Sequence, residues 1–258
     1  MAMDFIIPAR DEELTVRAVV EAAQPVARAV GGKVLVISDN CHDATAAEAD
    51  KGGAEVLVLG GGGSSKSKAV VAGLELVEAK AVCLLDADCV GLRSENVADL
   101  VQPVLDGTAL MSVGTFDYGP WSWVVESIPW STGQRALPTD LFPVGDPRLE
   151  HYAMEILLNE AVGRRGGTTV SMTMSGVHHR SKVAKAGLAK GLLANLRMWI
   201  DIAAVSAEVD PEAYRRYADN VLVPHDGRWA PAPKAVTSLG VRALQNAGSL
   251  VRRSRPAA

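Results

Sequence analysis

The sequence predicts an α/β protein in which helices cover both faces of a mostly parallel β-sheet. Short apolar runs alternate with helical patterns over residues 1–115, as in chains built from β-α-β units. The runs are apolar at consecutive positions, which is typical of strands buried on both faces. Glycine pairs close the first two helical patterns, at Gly31-Gly32 and Gly52-Gly53, and so separate each helix from the next strand.

Each element follows from its local pattern. The predicted strands are 4–7, 33–38, 55–59, 81–85, 109–115 and 168–174. The predicted helices are 12–30, 44–51, 66–78, 96–105, 132–141, 149–164, 181–207, 211–219 and 234–252. Pro120 and Pro129 exclude a long regular helix between 116 and 130. We therefore expect a first half of one domain at 1–115, a second half at 116–180 and a helical C-terminal extension at 181–258.

Composition places the chain among ordinary globular proteins. It has 258 residues, 48% hydrophobic content and a formal net charge of −4. The negative charge argues against nucleic acid as a partner, because nucleic-acid-binding surfaces are basic. Three cysteines form an odd set without a C-x-x-C pair, which indicates reduced thiols and a cytoplasmic location.

The sequence predicts neither a signal peptide nor a transmembrane helix. The amino terminus runs directly into an apolar strand and then into charged residues. The most apolar late stretch, 187–207, is interrupted by Lys190, Arg197 and Asp201. It fits an amphipathic helix that faces the core, while peripheral membrane contact stays open, as does a homodimer.

Polar loops follow the first four predicted strands. They span 8–12, 39–43, 60–68 and 86–88. Ligands of parallel sheets bind beyond the carboxyl ends of the strands. We therefore expect these loops to open on one common rim of the sheet.

Asp86-Ala87-Asp88 is the most informative of these loops. Two carboxylates one residue apart, directly after the buried run 81–85, can converge on one hard cation such as Mg²⁺ or Mn²⁺. Such a cation shares its open positions with phosphate oxygens, which suits a nucleoside diphosphate. The alternative for a D-x-D pattern is a solvated turn.

The other loops offer further ligand groups. Glu12 can stabilise a helix start or hydrogen bond to a ribose hydroxyl. Asp39 can cap the next helix or accept the imide N–H of uracil. The glycine-rich stretch 60–68 opens a helix and carries Lys66 and Lys68, which suits a diphosphate although the Walker spacing is absent. Its alternative is a flexible surface turn.

Together these loops resemble those of the family 2 glycosyltransferases, which have the GT-A fold. The P-x-x-N/D-E segment of that family corresponds to Pro8-Ala9-Arg10-Asp11-Glu12. The D-x-S/C-x-D-x-T segment corresponds to Asp39-Asn40-Cys41-His42-Asp43-Ala44-Thr45. The G-K-G/S loop corresponds to Ser65-Lys66-Ser67-Lys68-Ala69, and the D-x-D follows as Asp86-Ala87-Asp88. The order and spacing of these segments match over residues 4 to 110.

Weaker similarity continues with the polyprenyl-phosphate and phosphoglycerate-type members of the family. Residues 131–137 resemble their S-G-x-R-A-L acceptor loop, and residues 152–159 resemble their G-x-x-V-E-x-x-L-N helix. His178-His179-Arg180 resembles the H-R that follows their last core strand.

The resemblance implies a role for each matching residue. The donor-binding residues would be Pro8, Ala9, Arg10, Glu12, Asp39, Lys66, Lys68, Asp86 and Ala87. Asp88 would ligate Mg²⁺ or Mn²⁺ together with His179, or with His178 as the alternative. Lys68 would reach the diphosphate, with Lys66 as the alternative. Residues 1–115 would hold the nucleotide sugar, and residues 116–180 would hold the acceptor.

The implied reaction is an inverting transfer of a sugar from a nucleotide sugar, most often a UDP-sugar, to a hydroxyl or phosphate acceptor. A hydroxyl acceptor needs a general base, and Glu155 is the candidate; its alternative is a solvated helical residue. The acceptor-binding candidates Thr132, Gly133, Gln134 and Arg135 lie at a predicted helix start, where free N–H groups and a guanidinium bind anions. Simple helix capping is the alternative there.

Two other functions are alternatives. A sugar-phosphate nucleotidyltransferase also combines an α/β sheet with paired acids, but it usually opens with a G-x-G-T-R loop where this chain has residues 8–12. A non-catalytic nucleotide-sugar binder would share the fold. The presence of Lys68, Asp86 and Asp88 argues against that second alternative.

Overall fold

A computed structural model describes residues 1–61, 65–149, 153–180, 202, 204–238, 240–242 and 246. Within these residues the chain forms a nine-stranded sheet in the order β11-β10-β8-β6-β7-β4-β1-β2-β3 and a small two-stranded sheet, β5-β9. Most neighbours in the large sheet are parallel; the antiparallel pairs are β4-β7, β6-β7 and β10-β11. The predicted α/β class is therefore confirmed.

The elements have the following bounds. The strands are β1 Met3–Ala9, β2 Val34–Asp39, β3 Glu55–Leu59, β4 Ala81–Leu84, β5 Cys89–Val90, β6 Met111–Thr115, β7 Gln134–Pro138, β8 Thr169–Thr173, β9 His178–His179, β10 Val221–His225 and β11 Arg228–Pro231. The helices are α1 Val16–Ala29, α2 Thr45–Lys51, α3 Lys66–Leu74, α4 Ser94–Leu105, α5 Ser122–Ser127, α6 Ala153–Arg164 and α7 Pro211–Asp219, with short 3₁₀ turns at Gly119–Trp121 and Thr139–Leu141.

The sheet is buried on both faces because successive residues of its central strands point to opposite sides. Phe5 and Ile7 of β1 pack into an apolar layer with α1, α2 and α4. Ile6 faces the other way, into a layer with α3, α6 and α7. The continuous apolar runs of the sequence are explained by these two layers.

The carboxyl ends of β1 to β4 lie at one edge of the sheet, as predicted. β4, β1, β2 and β3 are neighbours and all run parallel. β7 is antiparallel to β4, with Leu84 opposite Arg135, so β7 begins at the edge where β4 ends. β6 and β8 also end at this edge, because both run opposite to β7. The start of β7 and the segment after β8 are therefore added to the rim formed by the first four loops.

The predicted helix over 132–141 is wrong. Residues Gln134–Pro138 form β7, between β4 and β6, and a 3₁₀ turn follows at Thr139–Leu141. Pro138 explains the difference, because proline cannot donate inside a helix and it favours an extended conformation at Leu137. Consequently no helix start lies at Thr132–Arg135, and anion binding through free N–H groups of a first helical turn is wrong as well.

The described C-terminal residues contain a predicted helix and a hairpin that was not predicted. Helix α7 has the predicted bounds, and residues 234–238 and 240–242 are helical. The β10-β11 hairpin was not predicted, although Asp226-Gly227 between its strands is a typical two-residue hairpin turn. β10 joins the main sheet beside β8. Of the predicted helix 181–207, residues 181–201 and 203 lie outside the described residues.

None of the helices in the described part of the chain combines the length and apolar character needed to cross a membrane.

Candidate active site

Hydrogen bonds connect the loops that follow β1, β2 and β3. The Glu12 backbone N–H donates to Thr45 Oγ1 over 2.8 Å, which joins the β1 loop to the start of α2. The Ser65 backbone N–H donates to Asp39 Oδ2 over 3.1 Å, which joins the β2 loop to the start of α3. Asp39 and Glu12 are both buried. The loops of the predicted common rim are therefore connected to one another by hydrogen bonds.

The centre of the rim is an ion cluster formed by Lys66, Asp86 and Glu155. Lys66 Nζ lies 2.6 Å from Asp86 Oδ1 and 2.7 Å from Glu155 Oε1. The Glu155 side chain is 5% exposed, and the Lys66 and Asp86 side chains are each 22% exposed. The three residues come from α3, the β4 loop and the first turn of α6, so this cluster joins both halves of the domain.

The cluster has more acidic than basic groups, because two carboxylates share one ammonium. Burial by itself lowers the pKa of a lysine. In Lys66 that effect is outweighed by the charges of Asp86 and Glu155 and by hydrogen bonds to them, which raise its pKa well above the ordinary value. Lys66 therefore carries a permanent positive charge at neutral pH.

Gly133 and Gln134 pack directly on this cluster. Gln134 Nε2 donates to Asp86 Oδ2 over 2.8 Å, and Gln134 is fully buried. Thr132 Oγ1 lies 2.7 Å from Gln134 Oε1 and so orients the amide. A Cβ atom at Gly133 would lie 2.4 Å from Lys66 Nζ and from both Asp86 carboxylate oxygens, so glycine is required by close approach.

Arg135 stabilises the interior of the acceptor half. Its side chain is fully buried and donates to the backbone carbonyls of Pro129, Trp130 and Thr132 and to Asn159 Oδ1. These internal partners occupy the guanidinium, and the contact between Arg135 and an anionic acceptor stays a prediction. Most of the partners are backbone carbonyls, which a sequence pattern does not reveal.

Asp88 lies beside the two candidate histidines. β5 pairs with β9, with Cys89 opposite His179 and Val90 opposite His178, and the Arg180 backbone N–H donates to the Asp88 carbonyl over 3.0 Å. Side chains of successive strand residues point to opposite faces of a sheet, so His178 shares a face of the small sheet with Val90, and His179 shares the other face with Cys89. His179 also packs against Phe116, with ring centroids 5.3 Å apart. Which histidine would meet a cation stays a prediction.

Cys89, next to Asp88, is a neutral structural thiol. It is 2% exposed, and burial, with smaller contributions from Asp86 and Asp88, raises its pKa well above the usual range. Low exposure and a raised pKa are typical of a buried thiol that packs in the interior. The three cysteines are free, in agreement with reduced thiols.

A second group of oxygen and sulfur atoms lies at the ends of β1 and β2. Among the described residues, Asp11, Cys41 and Asp43 are the group of three whose potential ligand atoms all lie within 4.8 Å of one another. Hydrogen bonds between the two loops account for this proximity: Asp11 Oδ1 accepts from the His42 backbone, and Asp43 Oδ2 accepts from the Glu13 backbone.

The remaining predicted donor residues lie along the same edge. Pro8 and Ala9 are the last residues of β1, and Ala87 is buried behind the D-x-D carboxylates. Arg10 and Lys68 are exposed. Of the two candidate lysines, the structure therefore brings Lys66, the alternative, to the acid cluster.

This arrangement defines a class of protein. Buried acids, a lysine and the start of a helix, gathered at the carboxyl edge of a mostly parallel sheet, are typical of nucleotide-binding α/β enzymes.

Sequence comparison defines the family. The profile described as Glycosyl transferase family 2 matches residues 4–155, which is more than half of the chain. The chain belongs to glycosyl transferase family 2 and is a glycosyltransferase acting with a nucleotide sugar. This finding favours the predicted transferase over the nucleotidyltransferase. No match is found among curated proteins.

Solved structures with a similar fold include glucosyl-3-phosphoglycerate synthase from Mycobacterium tuberculosis. Its complex with Mg²⁺ and UDP has a TM-score of 0.59 at 20% identity, over 75% of this chain and 78% of that chain. Its complex with Mn²⁺, UDP-glucose and phosphoglyceric acid has a TM-score of 0.60 at 19% identity, over 90% and 87%. A further mycobacterial protein has a TM-score of 0.61 at 19% identity, over 79% and 74%. These similarities establish the GT-A fold.

Proposed function

We propose that this protein is a metal-dependent, inverting glycosyltransferase that uses a UDP-sugar. The observation that carries the proposal is the cluster of Lys66, Asp86 and Glu155, at the edge where β1, β2 and β4 end. Further support comes from glucosyl-3-phosphoglycerate synthase, which has the same fold and has been crystallised with Mg²⁺ and UDP.

The donor would lie across the ends of β1 to β4, held by residues 1–115. Pro8, Ala9 and Glu12 would hold the nucleoside, and buried Asp39 has the acceptor oxygens that a uracil imide needs. Asp86 would face the ribose. Arg10, Lys68 and Ala87 are the remaining donor residues of the proposal, with Lys68 exposed at the first turn of α3.

The residues around Asp88 suit Mg²⁺ or Mn²⁺. A carboxylate with an imidazole from His178 or His179 is a hard, mixed oxygen and nitrogen ligand set, and β9 brings both histidines beside the D-x-D loop. When bound there, the cation would supply positive charge to the leaving diphosphate.

Glu155 would receive the proton of a hydroxyl acceptor. It is the carboxylate of the cluster that comes from the acceptor half, at the first turn of α6. The acceptor would enter between α6 and the loop of Thr132, Gly133 and Gln134, since that loop covers Asp86. The inverted product follows if the acceptor oxygen attacks from the face opposite the diphosphate. With a phosphate acceptor, which is already anionic, Glu155 would orient ligands instead.

The test is an assay of UDP release from UDP-glucose in the presence of Mn²⁺, with and without phosphoglyceric acid as a trial acceptor. We expect slow release without an acceptor and faster release with a suitable one. Release of pyrophosphate from UTP and a sugar phosphate would instead indicate a nucleotidyltransferase. Binding of UDP-sugars without any turnover, across a panel of acceptors, would indicate a non-catalytic binder.

A further inference from the structure

The Lys66 ammonium bridges the two carboxylates of the ion cluster. Lys66 Nζ contacts Asp86 Oδ1 at 2.6 Å and Glu155 Oε1 at 2.7 Å, so the ammonium already has two charged partners. Lys66 is also the first residue of α3, directly after the glycine-rich loop and next to its N-cap Ser65. The same ammonium is thus placed where a donor diphosphate would be held.

We infer that Lys66 is an exchangeable counter-ion, which ties Glu155 to Asp86 in the free protein and transfers to the diphosphate when the donor binds. Glu155 would then be held away from the acceptor until the donor is in place. This inference rests on the proposed function, since it needs a diphosphate-bearing donor at α3.

Charge balance favours such an exchange. Two carboxylates compete for one ammonium, and a diphosphate adds a third and stronger anionic partner. Asp86 would keep a second hydrogen-bonding partner after the exchange, because Gln134 Nε2 donates to its other carboxylate oxygen over 2.8 Å. Glu155 has Lys66 as its described ion partner, so the exchange acts mainly on Glu155.

The packing around the cluster explains how the acceptor side would respond. A Cβ atom added at Gly133 would collide with Lys66 Nζ, so the loop of Gly133 lies directly against the ammonium. Movement of Lys66 towards a diphosphate would therefore change the surroundings of Gly133 and Glu155 together. Donor and acceptor sites would be coupled through a single side chain, without any movement of the sheet.

The inference is tested by calorimetric titration of UDP, with Mn²⁺ present, into four proteins: wild type, Glu155→Gln, Lys66→Gln and the double variant. Glu155→Gln removes the competitor for Lys66, so we expect UDP to bind roughly three- to ten-fold tighter. The gain should disappear in the Lys66→Gln background. The Glu95→Gln variant on α4 makes the same charge change at an exposed side chain outside the cluster and should leave UDP affinity unchanged.

The outcomes separate the inference from the proposed function. If wild type does not bind UDP with Mn²⁺, the proposed function fails. If wild type binds UDP but Glu155→Gln binds it equally well, only the counter-ion exchange fails. A gain that persists without Lys66 would also overturn the exchange, because it would then be a general effect of removing negative charge.

A second measurement needs no variant, in case Lys66→Gln does not fold with Glu155 unpaired. Carbodiimide labelling of wild type, followed by mass spectrometry, reports the reactivity of individual carboxyl groups. We expect UDP and Mn²⁺ to increase labelling of Glu155, while Glu160, equally buried on the same helix, stays unchanged. Unchanged or reduced labelling of Glu155 would contradict the inference.

Discussion

Helix α6 carries two buried glutamates whose surroundings differ in one instructive way. Glu160 accepts from the guanidinium groups of Arg148 and Arg164 and from the backbone N–H of Asp210. Glu155 shares the single ammonium of Lys66 with Asp86. Both carboxylates are buried. Arg148 also contacts Asp146 Oδ2 at 2.7 Å, so the Glu160 cluster has two guanidinium groups and two carboxylates, whereas the Glu155 cluster has one ammonium and two carboxylates.

The difference in charge balance indicates a structural cluster around Glu160 and suits the cluster around Glu155 to ligand binding. A balanced buried cluster that joins α6 to α7 and to the turn at Asp146 needs no further ligand. A cluster with an excess of negative charge, at the edge of a parallel sheet, is suited to a cation or to exchange of its own counter-ion. The three predictions that follow test this distinction with the turnover of each variant.

The largest effect on turnover is expected for Glu155→Gln. A general base contributes about 10² to 10⁴ in rate, so kcat should fall by at least about 100-fold. Donor binding should not weaken, because Glu155 is not a donor ligand in this account. Steady-state kinetics together with UDP titration measure both quantities. An equal loss of turnover and of donor affinity would move Glu155 from chemistry to binding.

An intermediate effect is expected for Gly133→Ala. The added methyl group would collide with Asp86 and Lys66, so one side of the cluster must shift. We expect kcat/KM to fall by about ten-fold or more, since misplacement of reacting groups by about 1 Å is costly. Normal kinetics in Gly133→Ala would mean that this close approach has no part in the reaction.

The smallest effect on turnover is expected for Glu160→Gln. Removing this charge leaves Arg148 and Arg164 without their shared carboxylate, so the free energy of unfolding should fall by roughly 2–4 kcal/mol. The folded enzyme should keep kcat within about two-fold, because the cluster stabilises the fold away from the cleft. Denaturant unfolding and kinetics at a temperature where the variant is folded check both parts. Loss of kcat as large as that of Glu155→Gln would remove the distinction between the two glutamates.

The arrangement of residues 1–115 was predictable because one simple rule governs parallel sheets. Loops after parallel strands lie at one edge, so the positions of Asp39, Lys66 and Asp86 follow once the strands are located. The acceptor half was less predictable because its sheet is mixed. The pattern of 132–141 is compatible with a helix, and only Pro138 indicated that the segment is a strand.

The contacts within the ion cluster could not be predicted from the sequence. Lys66 and Glu155 are 89 residues apart, and no periodicity connects them. The hydrogen bond from Gln134 to Asp86 depends on the antiparallel pairing of β7 with β4. This pairing was not predicted, because residues 132–141 were expected to form a helix. The requirement for Gly133 arises from packing across two loops, so it is visible only in three dimensions.

The proposed reaction requires a metal-assisted nucleotide site at the D-x-D loop. Calorimetric titration of UDP into wild type and Asp88→Ala, each with and without Mn²⁺, tests it. We expect Mn²⁺ to strengthen UDP binding to wild type at least ten-fold and to have no such effect on Asp88→Ala, with the fold of the variant unchanged by circular dichroism. UDP affinity that is the same in all four titrations would contradict the account.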